Sequence, residues 1–148
     1  MENLREKIEK TTLRVRREQM IARLSDQFTE EAEQFAERLS TTTVDLTQVR
    51  GIENIANSTD KISDITNWLK LRVGRDGKNE RWAKAGIGHD LLRKLKSLES
   101  DAKRIADELK LAHAIDEDFT RQVHLRLCRE FLSRLSAYFE YKKAGSPV

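Results

Sequence analysis

The chain has almost none of the residues that interrupt helices or staple small folds. In 148 residues there is one proline, Pro147, and one cysteine, Cys128. A lone cysteine excludes an intrachain disulfide framework and fits a reducing, cytoplasmic setting. With proline confined to residue 147, nothing upstream removes a backbone N–H from a helix interior. Glycine is scarce as well, and four of its six positions (Gly74, Gly77, Gly86 and Gly88) fall in one short stretch. No apolar run approaches the roughly 20 residues of a membrane span, so no membrane partner is expected. Met1 is followed by Glu2, Arg5, Glu6 and Lys7, a start that predicts no secretory signal. Nor does one sign of charge dominate: 28 Lys and Arg face 25 Asp and Glu, a net +3. Any affinity for a polyanion must therefore come from clustering of cations.

What is present is helical periodicity. Apolar residues recur at spacings of three and four almost everywhere, which predicts an all-α fold, a single bundle of four to five helices over residues 1–148. Residues 3 to 39 contain neither Pro nor Gly. Within them Leu4, Ile8 and Val15 share one stripe, while Met20, Leu24, Phe28, Phe35 and Leu39 lie on nearly the opposite side. One straight helix cannot bury both stripes in one core. Either it breaks near Ser25 to Thr29, or Leu4, Ile8 and Val15 contact something else, such as a neighbouring subunit. Asp45 and Gln48 have the spacing of a capping box. A second helix is predicted from there to about Val73, a third over roughly 90 to 113, and a fourth over 117 to 143 with Asp116 as N-cap. Phe35, Ile55, Ile62, Leu95, Leu98, Phe131 and Leu135 are the expected core.

Catalytic patterns are missing. His89, His113 and His124 are not preceded three positions earlier by glutamate, and no HExxH, Walker or CxxC element occurs. Gly86-Ile-Gly88-His89 lacks the strand and the Lys-Ser/Thr that would make it a phosphate loop, and reads as a helix entry. Cys128 sits beside core position Leu127, which predicts a buried, unreactive thiol. Glu30, Glu31 and Glu33 decorate a helix exterior, and Asp116, Glu117 and Asp118 suit a helix N-terminus. No enzyme activity, metal or cofactor is expected.

Positive charge is better organised. Between the second and third helices, residues 70 to 84 carry six cations, Lys70, Arg72, Arg75, Lys78, Arg81 and Lys84, against only Asp76 and Glu80. Gly74 and Gly77 let the backbone turn, and Trp82 offers a face on which a base could stack. The segment reads as a nucleic-acid contact, or else as a solvated loop with Trp82 folded back as an anchor. Lys7, Lys10, Arg14 and Arg17 follow a 3, 4, 3 spacing that aligns them along one helical face, either as a ladder for a phosphate backbone or as solvated charges paired along the helix. Arg126 and Arg129 share the outer side of the fourth helix. Together these patches favour polyanion binding over any enzymatic reading.

Two stretches carry a family likeness. Leu46-Thr-Gln48-Val-Arg50-Gly-Ile52 is similar to a Gln-apolar-Arg element of type III CRISPR small subunits. The ending Phe131-Leu-Ser-Arg-Leu-Ser-Ala-Tyr138-Phe139-Glu-Tyr141-Lys-Lys is similar to their aromatic C-terminal helix. In length and helical order the chain resembles the small subunit of CRISPR Cascade-like and type III effector complexes. The resemblance implies a non-catalytic role in antiviral defence, with several copies packed along a ribonucleoprotein beside other effector subunits. It further implies guide RNA and target DNA or RNA as partners, the subunit steadying the guide–target duplex or the displaced DNA strand. It transfers no binding residues, which rest here on charge and spacing alone. A helical adaptor that docks proteins without nucleic acid is the rival expectation.

Overall fold

The computed structural model describes residues 3–77 and 79–145. Among them are five α-helices and no strand: α1 Leu4–Ser40, α2 Leu46–Ser58, α3 Ile62–Arg75, α4 Ile87–Lys110 and α5 Glu117–Gly145. A short 3-10 stretch, Arg81–Gly86, joins α3 to α4. Three of the five helices, α1, α2 and α5, start where a side chain satisfies free backbone N–H groups, whereas α3 and α4 have no side-chain cap. Asn3 with Glu6 and Asp45 with Gln48 both close capping boxes, and Asp116 Oδ1 accepts from the Phe119 N–H at 2.9 Å.

Side-chain pairs between helices give their directions. Glu18 meets Arg126, Thr29 meets Arg134 and Glu37 meets Lys142, so α1 and α5 run parallel. Glu31 pairs with Lys94 and Arg38 with Asp90, so α4 runs against α1. Arg50 pairs with Glu140 while Arg129 reaches Ala56, so α2 runs against α5. Val73 of α3 abuts Gly88 of α4, and a Cβ at Gly88 would fall 2.7 Å from the Trp82 carbonyl oxygen; only glycine fits there. The five helices thus alternate up and down around one core.

That core is centred on Phe131, against which Phe28 and Phe35 pack edge-on at 5.4 and 5.9 Å. Phe35, Leu95, Leu98, Phe131 and Leu135 are buried, as their spacing predicts. Ile55 and Ile62 are only half-buried, because they flank the turn between α2 and α3 at the edge of the outer layer.

Helix boundaries are decided in three places, the first by a choice between the two readings of the opening helix. The first helix does not break: the Ser25 and Thr29 hydroxyls donate to the Ile21 and Ser25 carbonyls at 2.8 and 2.7 Å, and α1 runs through both. Its 37 residues span about 55 Å at 1.5 Å per residue. The bundle covers only the rear of it. Arg17 lies over the ring of Phe119, near the start of α5, and from 3 to 16 every residue is exposed except half-buried Leu13. Leu4, Ile8 and Val15 are 74%, 57% and 49% exposed, on an arm that projects past α5.

At the second place the expectation is corrected: the helix expected from Asp45 to Val73 is two helices. Thr59 turns extended, and Arg129 of α5 clamps the turn by donating to the Ala56 and Thr59 carbonyls, each at 2.7 Å. The Thr59 hydroxyl accepts from the Lys61 N–H at 3.0 Å and donates to Asp64. Neither Gly nor Pro marks this break. Only the polar run Ser58-Thr-Asp-Lys61 hints at it. In addition, α4 starts three residues earlier than expected and ends three earlier.

Candidate nucleic-acid interface

The connection from α3 to α4 is built, not slack. Asn79, Arg81 and Ala85 all have positive φ, at 64°, 47° and 52°, followed by Gly86 at 71°. Left-handed geometry costs a non-glycine residue on the order of 1 kcal/mol, so something must hold it. Asp76 Oδ2 accepts from the Trp82 backbone N–H at 3.0 Å, and Asn79 Oδ1 accepts from the Ala85 N–H at 2.9 Å. The stronger restraint is Trp82 itself, which is fully buried and packs edge-on against Trp68 at 5.7 Å.

Burial of Trp82 corrects the stacking expectation. A ring with no exposed surface offers no platform to a base, and its indole N–H is enclosed without a hydrogen-bond partner among the described residues. It is the anchor of the loop. Arg72 is drawn into the same assembly, with its guanidinium 5.0 Å from the Trp68 ring centre and its side chain half-buried.

Lys70, Arg75, Arg81 and Lys84 remain on the outside. Lys84 donates to the Thr41 carbonyl at 3.3 Å; Lys70, Arg75 and Arg81 have no ion-pair or hydrogen-bond partner among the described residues. Asp76, one of the two local anions, is half-buried and spent on the Trp82 backbone. Lys78 lies outside the described residues. The result is an end of the bundle whose positive charge is displayed and whose negative charge is partly turned inward. Arg38, which no spacing rule singles out, stiffens this end by donating to Asp90 at 2.8 Å and to the Ala85 carbonyl at 3.3 Å. Hydrogen bonds first from Arg38 and then from Arg93 hold the Asp90 carboxyl below the usual carboxylate range.

The other predicted cations divide. Lys7, Lys10 and Arg14 are exposed on the arm. Arg17, the fourth rung, is half-buried, bonded to Glu18 at 3.2 Å and stacked on Phe119. Arg126 grips Glu18 with two bonds of 2.8 and 2.9 Å, and Arg129 is the clamp on the α2–α3 turn. These last three side chains are committed to the fold. They border a half-open trough of about 1400 Å³ beside that turn, whose acids Glu99 and Asp118 are taken by Lys103 and Arg121, so that its lining keeps more cations than carboxylates. Hydrogen bonding from Arg126, ahead of the opposing effect of burial, holds Glu18 below its ordinary value.

Of the remaining reactive groups, His89 is exposed and His113 half-buried, while Cys128 and His124 are enclosed. Cys128 is buried, its thiol donating weakly to the Leu95 carbonyl at 3.7 Å, and burial pushes it up to about 12. His124 Nε2 lies 2.9 Å from the same carbonyl. Among the described residues no group of His, Cys, Asp and Glu could hold a metal ion, and no helix is long and apolar enough to cross a membrane. Comparisons with protein-family models, with curated proteins and with solved structures give no match.

Proposed function

We propose that the protein is a non-catalytic, cytoplasmic helical subunit of an RNA-guided effector assembly of the CRISPR small-subunit kind, and that the α3–α4 end of its bundle bears on a nucleic-acid backbone. One observation carries the reading: Lys70 and Arg75 on the last turns of α3, and Arg81 and Lys84 on the strained, well-anchored connection after it, are all exposed with no carboxylate partner among the described residues. Fixed cations of this kind bind phosphates by releasing counterions, and they read charge and not bases. With Trp82 buried, stacking drops out and little sequence preference is expected. The exposed stripe of Leu4, Ile8 and Val15 supports the assembly part of the proposal, and it equally favours the adaptor reading without nucleic acid.

The two readings separate on binding of labelled DNA and RNA strands by the protein in its purified assembly. A variant with Lys70, Arg75, Arg81 and Lys84 all changed to Ala should bind more weakly to every sequence. The slope of log affinity against log salt should shrink by roughly 0.7 for each single-strand phosphate that the variant no longer neutralises. An assembly that carries no nucleic acid leaves the adaptor, and unchanged strand binding by the variant would move the contact to the exposed Lys7, Lys10 and Arg14 of the ladder.

A further inference from the structure

The arm has a seam as well as a charge. Leu4, Ile8, Thr11 and Val15 follow one another at spacings of 4, 3 and 4, the repeat of a two-stranded coiled coil. All four are exposed, and Leu13, on the opposite side toward the core, is the one half-buried residue of the arm. The Thr11 hydroxyl donates to the Lys7 carbonyl at 2.9 Å, so its donor is used within its own helix. Along the edges of the seam stand Arg5 and Thr12 on one side and Lys7 and Arg14 on the other. No acid flanks it. Glu6 and Glu9 point away from it, and Arg5 leans only loosely on Glu9, at 3.7 Å.

We infer that this arm is one strand of a short heterotypic coiled coil whose other strand is an acidic amphipathic helix of a partner protein. A second copy of the chain does not fit. Parallel or antiparallel, it would bring Lys7 and Arg14 against further cations or uncharged residues. A phosphate backbone would satisfy the cations and leave Leu4, Ile8 and Val15 facing water. A helix with apolar residues on its seam and glutamates along the edges satisfies both. The β-branched Ile8 and Val15 alternate with Leu4 in the pattern that favours two parallel strands. This contact depends only on the assembly half of the proposed function. Loss of strand binding at the α3–α4 end would leave it untouched.

The test uses the full-length protein, isotope-labelled for NMR, and a pair of synthetic helical peptides of about three heptads that share an apolar seam. One carries Glu at every flanking position and the other Lys. The Glu peptide should shift amide signals of residues 4 to 16 only. It should bind about tenfold more tightly than the Lys peptide, the combined effect of several exposed ion pairs. Changing Ile8→Gln together with Val15→Gln should weaken it at least as much, with an unchanged melting temperature. Any of the following results would overturn the inference. These are equal affinity for both peptides, Glu-peptide binding that survives the Gln changes, homodimerisation that Ile8→Gln abolishes, or no shift at millimolar peptide. A DNA strand that binds the arm regardless of the Gln changes and displaces the peptide would also reassign the arm to phosphate.

Discussion

The body of the bundle and the arm that projects from it are made of the same helix, yet they hold their shape for different reasons. In the body, α1 buries Ile21, Phe28, Ala32, Phe35, Ala36 and Leu39 against α4 and α5, and apolar burial stabilises it. In the arm only Leu13 is even half-buried. An isolated helix of that length would be marginal, since its first turn is costly to form. Here the body supplies the nucleus, and the arm only propagates it. The capping box at Asn3 then seals the end. Periodicity reports that a face is apolar, and packing alone decides whether that face belongs to the chain's own core.

Body and arm should respond unequally to substitution, with the largest losses in the body. Phe131→Ala and Trp82→Ala should each destabilise the body by about 3 to 5 kcal/mol in chemical denaturation. For Trp82 the loss falls toward the lower end, because an indole N–H buried without a partner is removed as well. A Trp82→Ala protein of unchanged stability that binds strands poorly would restore the stacking role. Arg129→Ala strips the Ala56 and Thr59 carbonyls of their donor and should cost about 1 to 3 kcal/mol. Proteolysis at residues 58 to 61 should quicken with it; an intact turn would mean the clamp is incidental. Asn3→Ala should cost about 1 kcal/mol of local helix stability. Hydrogen exchange should then speed up over the arm, with the melting temperature unmoved.

Acid gives the smallest effect, where arm meets body. Glu18 has its folded-state pKa lowered, chiefly by the Arg126 hydrogen bond, so its contribution is complete above the unfolded glutamate value of about 4.3 and is lost as pH falls below it. Glu18 is 39% exposed, so the loss should stay under about 1 kcal/mol. Glu18→Gln should flatten this part of the stability–pH curve, and a curve identical to the parent would assign the acid sensitivity elsewhere.

The core was legible wherever one apolar face ran unbroken. Leu95, Leu98, Phe131 and Leu135 lie where a period of 3.6 puts them. The break at Thr59 was not, because its cause is Arg129, 70 residues away in sequence. Trp82 was ambiguous for a related reason: a tryptophan amid cations is equally a platform or a plug, and Trp68 decides it from outside the segment. The cations showed the same limit. Spacing aligned Arg17 with Lys7, Lys10 and Arg14, but Glu18 and Phe119 claim it. Local pattern finds a charge; only the tertiary neighbours reveal whether that charge is available.

The parallel pairing of α1 with α5 has a consequence for the growing chain. Glu18 and Arg126 are 108 residues apart. At roughly 5 to 20 residues per second, α1 leaves the ribosome roughly 5 to 20 seconds before the helix that covers it. Through that interval Phe28 and Phe35 have no Phe131 to meet. Ribosome-bound chains halted before residue 117 should therefore be cut readily within α1 by an added protease. Equal resistance in halted and finished chains would show that α1 finds interim shelter.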